Sequence, residues 1–218
     1  MYKSGYISII GRPNTGKSTL LNCLIGEKVS IITDKPQTTR NRITGIKNLP
    51  EAQLIFLDTP GIHKANTPLN RAMVKTACDT FSDADILLLL VEANAANHPG
   101  DAYLINSLSE INTPVILVIN KIDLIAKNRL LPQIEKFSSL YNFREIIPVS
   151  AKQNDGIEIL LKAVEKLLPE GPSYFPFDIY TDATERFIAA EFIREKITLL
   201  TLQEIPYSSA VEVDSFKE

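Results

Sequence analysis

The chain is poor in thiols and in imidazoles, carries no large excess of charge of either sign, and has no run of eighteen apolar residues. Two cysteines cannot build a disulfide framework. Cys23 and Cys78 both fall in helical patterns and read as small buried apolar residues in a reducing compartment. With no long apolar run and no signal peptide, the expectation is a chain that neither crosses a membrane nor enters the secretory path. Lys and Arg number 23 against 26 Asp and Glu, a net charge of −3. That excludes a strongly basic nucleic-acid binder, so any such site must be a local patch or lie outside this chain. Internal repeats and low-complexity segments are absent. Glycine also runs out: none follows Gly171. At 218 residues and 44% hydrophobic, the chain has room for one full domain and part of a second.

What is present is concentrated in a few short segments. Gly11-Arg12-Pro13-Asn14-Thr15-Gly16-Lys17-Ser18 fits the phosphate-binding loop G-x-x-x-x-G-K-[ST] without a mismatch. An apolar strand precedes it (Tyr6 to Ile10) and a helix follows (Thr19 to Ile25, stopped by Gly26). Backbone N–H groups of Asn14 to Thr19 and the positive end of that helix would cradle a phosphate chain. Lys17 would reach the β- and γ-phosphates, and Ser18 would ligate Mg²⁺. Asp58-Thr59-Pro60-Gly61 ends a second apolar run, which makes Asp58 the Mg²⁺-side carboxylate. Gly61 could turn its N–H toward a γ-phosphate, because no Cβ blocks the approach. In Gln37-Thr38-Thr39-Arg40 a threonine hydroxyl would complete the metal shell. Thr39 is preferred, and Thr38 stays open.

The base is specified elsewhere. Asn120-Lys121-Ile122-Asp123 lies past the end of the run Val115 to Ile119, where open α/β sheets bind ligands. Asp123 would accept hydrogen bonds from N1–H and the exocyclic amine of guanine, a donor pair adenine lacks. Lys121 would cover the purine face, and Asn120 would tie the loops together. Ser150-Ala151-Lys152, after another strand, would close the other side.

Strands are expected at 5–10, 43–49, 53–58, 85–91, 115–119 and 146–149, and helices near 18–25, 68–82, 101–110, 130–141 and 156–168. The turn at Asn48 to Glu51 predicts an antiparallel hairpin. The rest implies an α/β fold: a mostly parallel six-stranded sheet with helices on both faces. Pro169 to Pro172 ends the last of these helices. Residues 173–183 read as an extended linker, and Phe187 to Ile197 as a new helix. The alternation from Ala210 to Phe216 reads as a strand.

The order GRPNTGKS, QTTR, DTPG, NKID, SAK is similar to that of translation-factor-type GTPases. More narrowly, PQTTRNRITGI, FLDTPGIHK and the whole stretch from Pro169 resemble the Era family, bacterial ribosome-assembly GTPases of the TrmE-Era-EngA-like group. The resemblance implies a P-loop GTPase domain over 1–172, a linker over 173–183, and the start of a KH-type RNA-binding domain over 184–218. No glycine remains there for the KH Gly-x-x-Gly clamp, so that segment is expected to lack core partners and to be partly mobile or packed on a neighbour. The implied function is a GTP-binding, slowly hydrolysing switch in small-subunit assembly and rRNA maturation. Its cofactors would be GTP or GDP and Mg²⁺, and its partners the small ribosomal subunit and its rRNA, not DNA. The location would be the cytoplasm, with a peripheral place on the inner membrane left open. The alternative is a GDP/GTP-sensing binding module with negligible turnover, signalling through its switch loops.

Two details qualify the mechanism. The residue after Gly61, where many relatives carry a water-orienting Gln, is Ile62, so intrinsic turnover should be slow and a partner or a monovalent cation should supply the missing contribution. Asn14 is a candidate K⁺ ligand by the same resemblance. Lys17, Thr39 and Gly61 carry the catalytic expectation. His63 reads as a surface histidine, and His98 as blander still. The segments 28–42 and 59–80 are expected to be the switches.

Overall fold

The computed structural model describes residues 1–33, 39, 42–59, 84–95, 98–109, 111–201 and 209–215. Gly61, Ile62, His63, Thr38, Cys78 and the helix expected over 68–82 lie outside the described residues.

Six strands form one sheet: β1 (Lys3–Gly11), β2 (Ile43–Leu49), β3 (Ala52–Asp58), β4 (Ile86–Glu92), β5 (Val115–Asn120) and β6 (Glu145–Pro148). Their order is β2-β3-β1-β4-β5-β6. Only the β2–β3 hairpin is antiparallel. The run Ile86 to Val91 shows why both faces are covered: Ile86, Leu88 and Leu90 pack into one apolar cluster, and Leu87, Leu89 and Val91 into another. A continuous apolar run with alternating faces is the pattern of a strand buried on both sides. Helix α1 (Lys17–Ile25) and helix α4 (Ile157–Leu167) pack on the first face. Helix α2 (Pro99–Ser107) and helix α3 (Leu130–Leu140) pack on the second.

Helix α2 starts two residues earlier than the sequence suggests. The His98 Nδ1 accepts the Gly100 N–H at 3.0 Å, so His98 is an N-cap, and Pro99 takes the first helical position. Short 3₁₀ turns at Ala93–Ala95, Ile122–Leu124 and Lys127–Arg129 fall where the sequence reads as loop.

The stretch after Pro169 corrects two expectations, the missing partners of its helix and the strand beyond it. The linker before that helix is bonded to the sheet. The Gly171 N–H bonds to the Tyr2 carbonyl at 3.1 Å, and the Ile46 N–H to the Tyr180 carbonyl at 2.8 Å. Gln53 accepts the N–H groups of Tyr174 and Phe175 and donates to the Phe175 carbonyl, and Asn48 donates to the Phe177 carbonyl. Helix α5 (Glu185–Leu200) is then capped by Thr184 and does find partners in its own chain. It buries Arg194, Glu195 and Thr198, and Phe187 packs against the first core cluster. Residues 209–215 form no strand. An alternating pattern needs a ladder partner to become a strand, and the described six-stranded sheet does not extend to it. No described helix is long and apolar enough to cross a membrane.

Candidate functional site

The parallel strands β1, β3, β4 and β5 end together, and the site lies just beyond their carboxyl ends. Gly11 closes β1, and the loop to Lys17 turns into α1. Gly16 sits in the left-handed region at φ 95. A Cβ there would lie 2.5 Å from the Asn120 Nδ2, so glycine is required both for the turn and for the approach of Asn120. Thr15 is fully buried and donates to the Arg12 carbonyl at 2.9 Å. The Lys17 ammonium donates to the carbonyls of Gly11 and Arg12 at 3.2 and 2.9 Å. It is thus folded over the inside of the loop, where it would meet phosphate. Burial brings its pKa down to about 8, with Asp58 opposing the shift and Arg12 adding to it.

Asp58 ends β3 with no exposure to solvent. Its Oδ2 accepts three hydroxyls: Ser18 at 2.6 Å, Ser30 at 3.1 Å and Thr39 at 3.3 Å. Ser18 and Thr39 are 3.0 Å apart. Oδ1 is buried and has no hydrogen-bond partner among the described residues. Burial raises the Asp58 pKa, against the pull of Lys17 and the hydroxyls. Two hydroxyls and one carboxylate with an unsatisfied buried oxygen form an all-oxygen set that suits a hard divalent cation such as Mg²⁺. Of the two threonines left open by sequence, Thr39 lies beside Ser18 and Asp58, and Thr38 is outside the described residues.

The base side is equally connected. Asn120 donates to the Thr15 carbonyl at 2.8 Å and accepts the Ala151 N–H at 3.1 Å, so one buried side chain joins three loops. Lys121, in the left-handed region at φ 64, reaches the Asn14 carbonyl at 2.7 Å and Glu92 at 3.2 Å. Asp123 accepts the Ser150 hydroxyl at 2.6 Å. Lys152 is exposed beside them, and Thr19 lies in the first turn of α1.

Sequence reasoning missed four supporting residues. Ser30 reaches Asp58 from the stretch after α1. Asn22 accepts the N–H groups of Val29 and Ser30 and donates to the Ser30 carbonyl, which fixes that stretch. Asp101 holds Arg12 of the phosphate loop at 2.6 Å. Glu92 holds Lys121. Only Glu92 carried a legible signal, since it ends a strand at the ligand edge of the sheet.

A family model for the 50S ribosome-binding GTPase matches residues 6–121. A GTPase Era from Syntrophus aciditrophicus (strain SB) is 63% identical over 218 residues, all of this chain and 71% of that protein. A GTPase Era from Geotalea uraniireducens (strain Rf4) is 55% identical over 217 residues and is covered to 73%. Among solved structures, Era in complex with MgGDPNP and nucleotides 1506–1542 of 16S ribosomal RNA superposes with a TM-score of 0.92 at 44% identity, covering 95% of this chain and 71% of that one. An Aquifex aeolicus Era variant bound to GDP·AlF4⁻ gives 0.90 at 44% identity, covering 94% and 70%. With this order of loops on this sheet, and with identities of this size along the full length, the chain belongs to the Era family of P-loop GTPases.

Proposed function

We propose that this chain binds GTP with Mg²⁺, hydrolyses it slowly to GDP and phosphate, and acts as a switch in assembly of the small ribosomal subunit and maturation of its rRNA. The observation that carries the proposal is the convergence of Ser18, Thr39 and Asp58 beside Lys17, with Asn120, Asp123 and Ser150 on the same edge of the sheet. Likeness to Era bound to 16S ribosomal RNA supports the partner.

Phosphoryl transfer to water needs positioning and charge neutralisation rather than a covalent nucleophile. Lys17 would exchange its two carbonyl acceptors for phosphate oxygens. The Thr15, Gly16 and Ser18 amides would line the phosphate path. Ser18 and Thr39 would ligate Mg²⁺, with Asp58 behind them, and the ion when bound would neutralise charge on the phosphates. Gly61 is proposed to contact the γ-phosphate. Asp123 and Lys121 would hold guanine, with Ser150, Ala151 and Lys152 around it. Thr39 and Gly61 would be lost as contacts when the γ-phosphate leaves, which releases the switches.

The proposed division is a GTPase domain over 1–172, a linker over 173–183, and the opening of a KH-type unit over 184–218. Two features support these limits: the Lys3–Glu170 bridge closes the first unit, and Thr184 caps a new helix.

Multiple-turnover phosphate release is expected with MgGTP and not MgATP, on the order of 10⁻³ s⁻¹ or below without a partner, and faster with small ribosomal subunits. Release that stops at one phosphate per chain under every condition would leave only the nucleotide-sensing module. Asn14, in the left-handed region at φ 64 beside the phosphate path, is proposed as a K⁺ ligand. Turnover is therefore expected to be faster in KCl than in NaCl, and equal rates would remove that role.

A further inference from the structure

Glu195 of α5 lies well outside the 6–121 region that defines the GTPase match, yet reaches back to the stretch after α1. Its carboxylate is almost wholly buried and both oxygens are engaged. Oε1 accepts the Ile32 N–H at 2.9 Å, and Oε2 pairs with the Lys28 ammonium at 2.6 Å. Lys28 also lies 4.9 Å above the ring of Phe192, one turn back on the same helix. Between those two anchors stands Ser30, fully buried, whose hydroxyl donates to the Asp58 Oδ2. Asn22 grips the other side of the same five residues through the Val29 and Ser30 amides. Two hydrogen bonds from α5 thus fix Lys28 and Ile32, and the backbone between them carries Ser30 to the metal-side carboxylate. Hydrogen bonds to an ionised group are roughly twice as strong as neutral ones, and here the carboxylate is the buried partner while the Lys28 side chain is half exposed.

We infer that Glu195 is a positioning residue for the magnesium and nucleotide site: by holding Lys28 and the Ile32 amide, it sets Ser30 against Asp58. This rests on the reading of the site as one for MgGDP and MgGTP. Coupling through a bonded network is reciprocal. Losing Glu195 loosens nucleotide held with Mg²⁺, and nucleotide with Mg²⁺ tightens the seating of α5.

The test is stopped-flow release of a fluorescent GDP from the full chain at saturating Mg²⁺ and after chelation. Glu195→Ala is expected to speed release at saturating Mg²⁺ by roughly five- to twentyfold, and much less once Mg²⁺ is removed. Glu195→Gln, which keeps an acceptor for the Ile32 amide, should fall between. In a Ser30→Ala background the Glu195→Ala effect should vanish, because the route passes through that hydroxyl. Hydrogen exchange gives the reciprocal readout: MgGDP should slow exchange in α5 of the wild type and not in Glu195→Ala. Unchanged release in a variant with normal far-UV dichroism would overturn the inference, as would an undiminished effect in the Ser30→Ala background. Should Glu195→Ala unfold, Glu195→Gln and Lys28→Met carry the same test, and wild-type release in both overturns it. A wild type that binds no GDP at all would instead sink the nucleotide reading on which this rests.

Discussion

Asp123→Asn is expected to exchange guanine for xanthine. The affinity for GTP should drop by on the order of 10⁴-fold, and the variant should bind and turn over XTP in its place. The size follows from what is left behind. A site built to accept two N–H donors rejects a mismatched partner by that order, because the unmatched polar groups stay buried. The Asp123 Oδ1 already accepts the Ser150 hydroxyl at 2.6 Å, which fixes the carboxylate plane before any base arrives. An asparagine held in that plane by Ser150 presents one acceptor and one donor. Guanine offers two donors there. Xanthine offers a donor at N1 and an oxo group at C2, and so fits the amide. Competition binding of GTP and XTP to both proteins measures the exchange directly. An unchanged preference for GTP would remove Asp123 from the base site.

Lys17→Met should separate stability from activity. Turnover is expected to fall by roughly 10²- to 10³-fold, the scale for loss of one preorganised charge at a developing anion, with the fold retained. The stability effect has a definite sign. The folded pKa of Lys17, about 8, lies below its ordinary value of 10.5, chiefly because the ammonium is buried. Between these values the unfolded chain binds the extra proton, so wild-type stability rises with pH across about 8 to 10.5. Below pH 8 the full cost of burying the cation is present, and above 10.5 it is gone. The methionine variant lacks this dependence. The wild-type minus variant difference in denaturant midpoint, measured without nucleotide, should therefore grow in favour of the wild type from pH 7.5 to 9.5. A flat difference would mean that Lys17 is not buried as a cation in the free protein.

Most of the sheet was legible because its strands are apolar, β-branched runs bounded by turns. Ile43–Leu49 falls where its pattern puts it, and the Asn48 to Glu51 turn forces the hairpin. The residues that the structure brings together at the candidate site were legible because the chemistry proposed for them demands fixed spacings in short loops. The choice between Thr38 and Thr39 was not, since neighbouring loop residues carry no periodicity; Thr39 lies beside Ser18, and Thr38 is outside the described residues. Long-range partners left even less trace. Nothing around Glu195 says that its carboxylate meets Lys28 and Ile32, far back in the chain, and nothing around Gln53 says that it will hold Tyr174 and Phe175. The alternation at 210–216 misled for a related reason: a pattern of period two states a preference, and a strand needs another strand.

The strapped linker also changes the reach of whatever follows it. Eleven unattached residues, 173–183, would have a root-mean-square span of roughly 18 Å for a flexible chain. Backbone attachment at Tyr180 leaves 181–183 before the Thr184 cap, a span of about 10 Å by the same relation. The volume searched by the downstream helix shrinks about sevenfold, and its local concentration at the nucleotide edge rises by the same factor. An intramolecular contact too weak to hold in dilute solution, such as one ion pair and one amide bond, becomes a standing one.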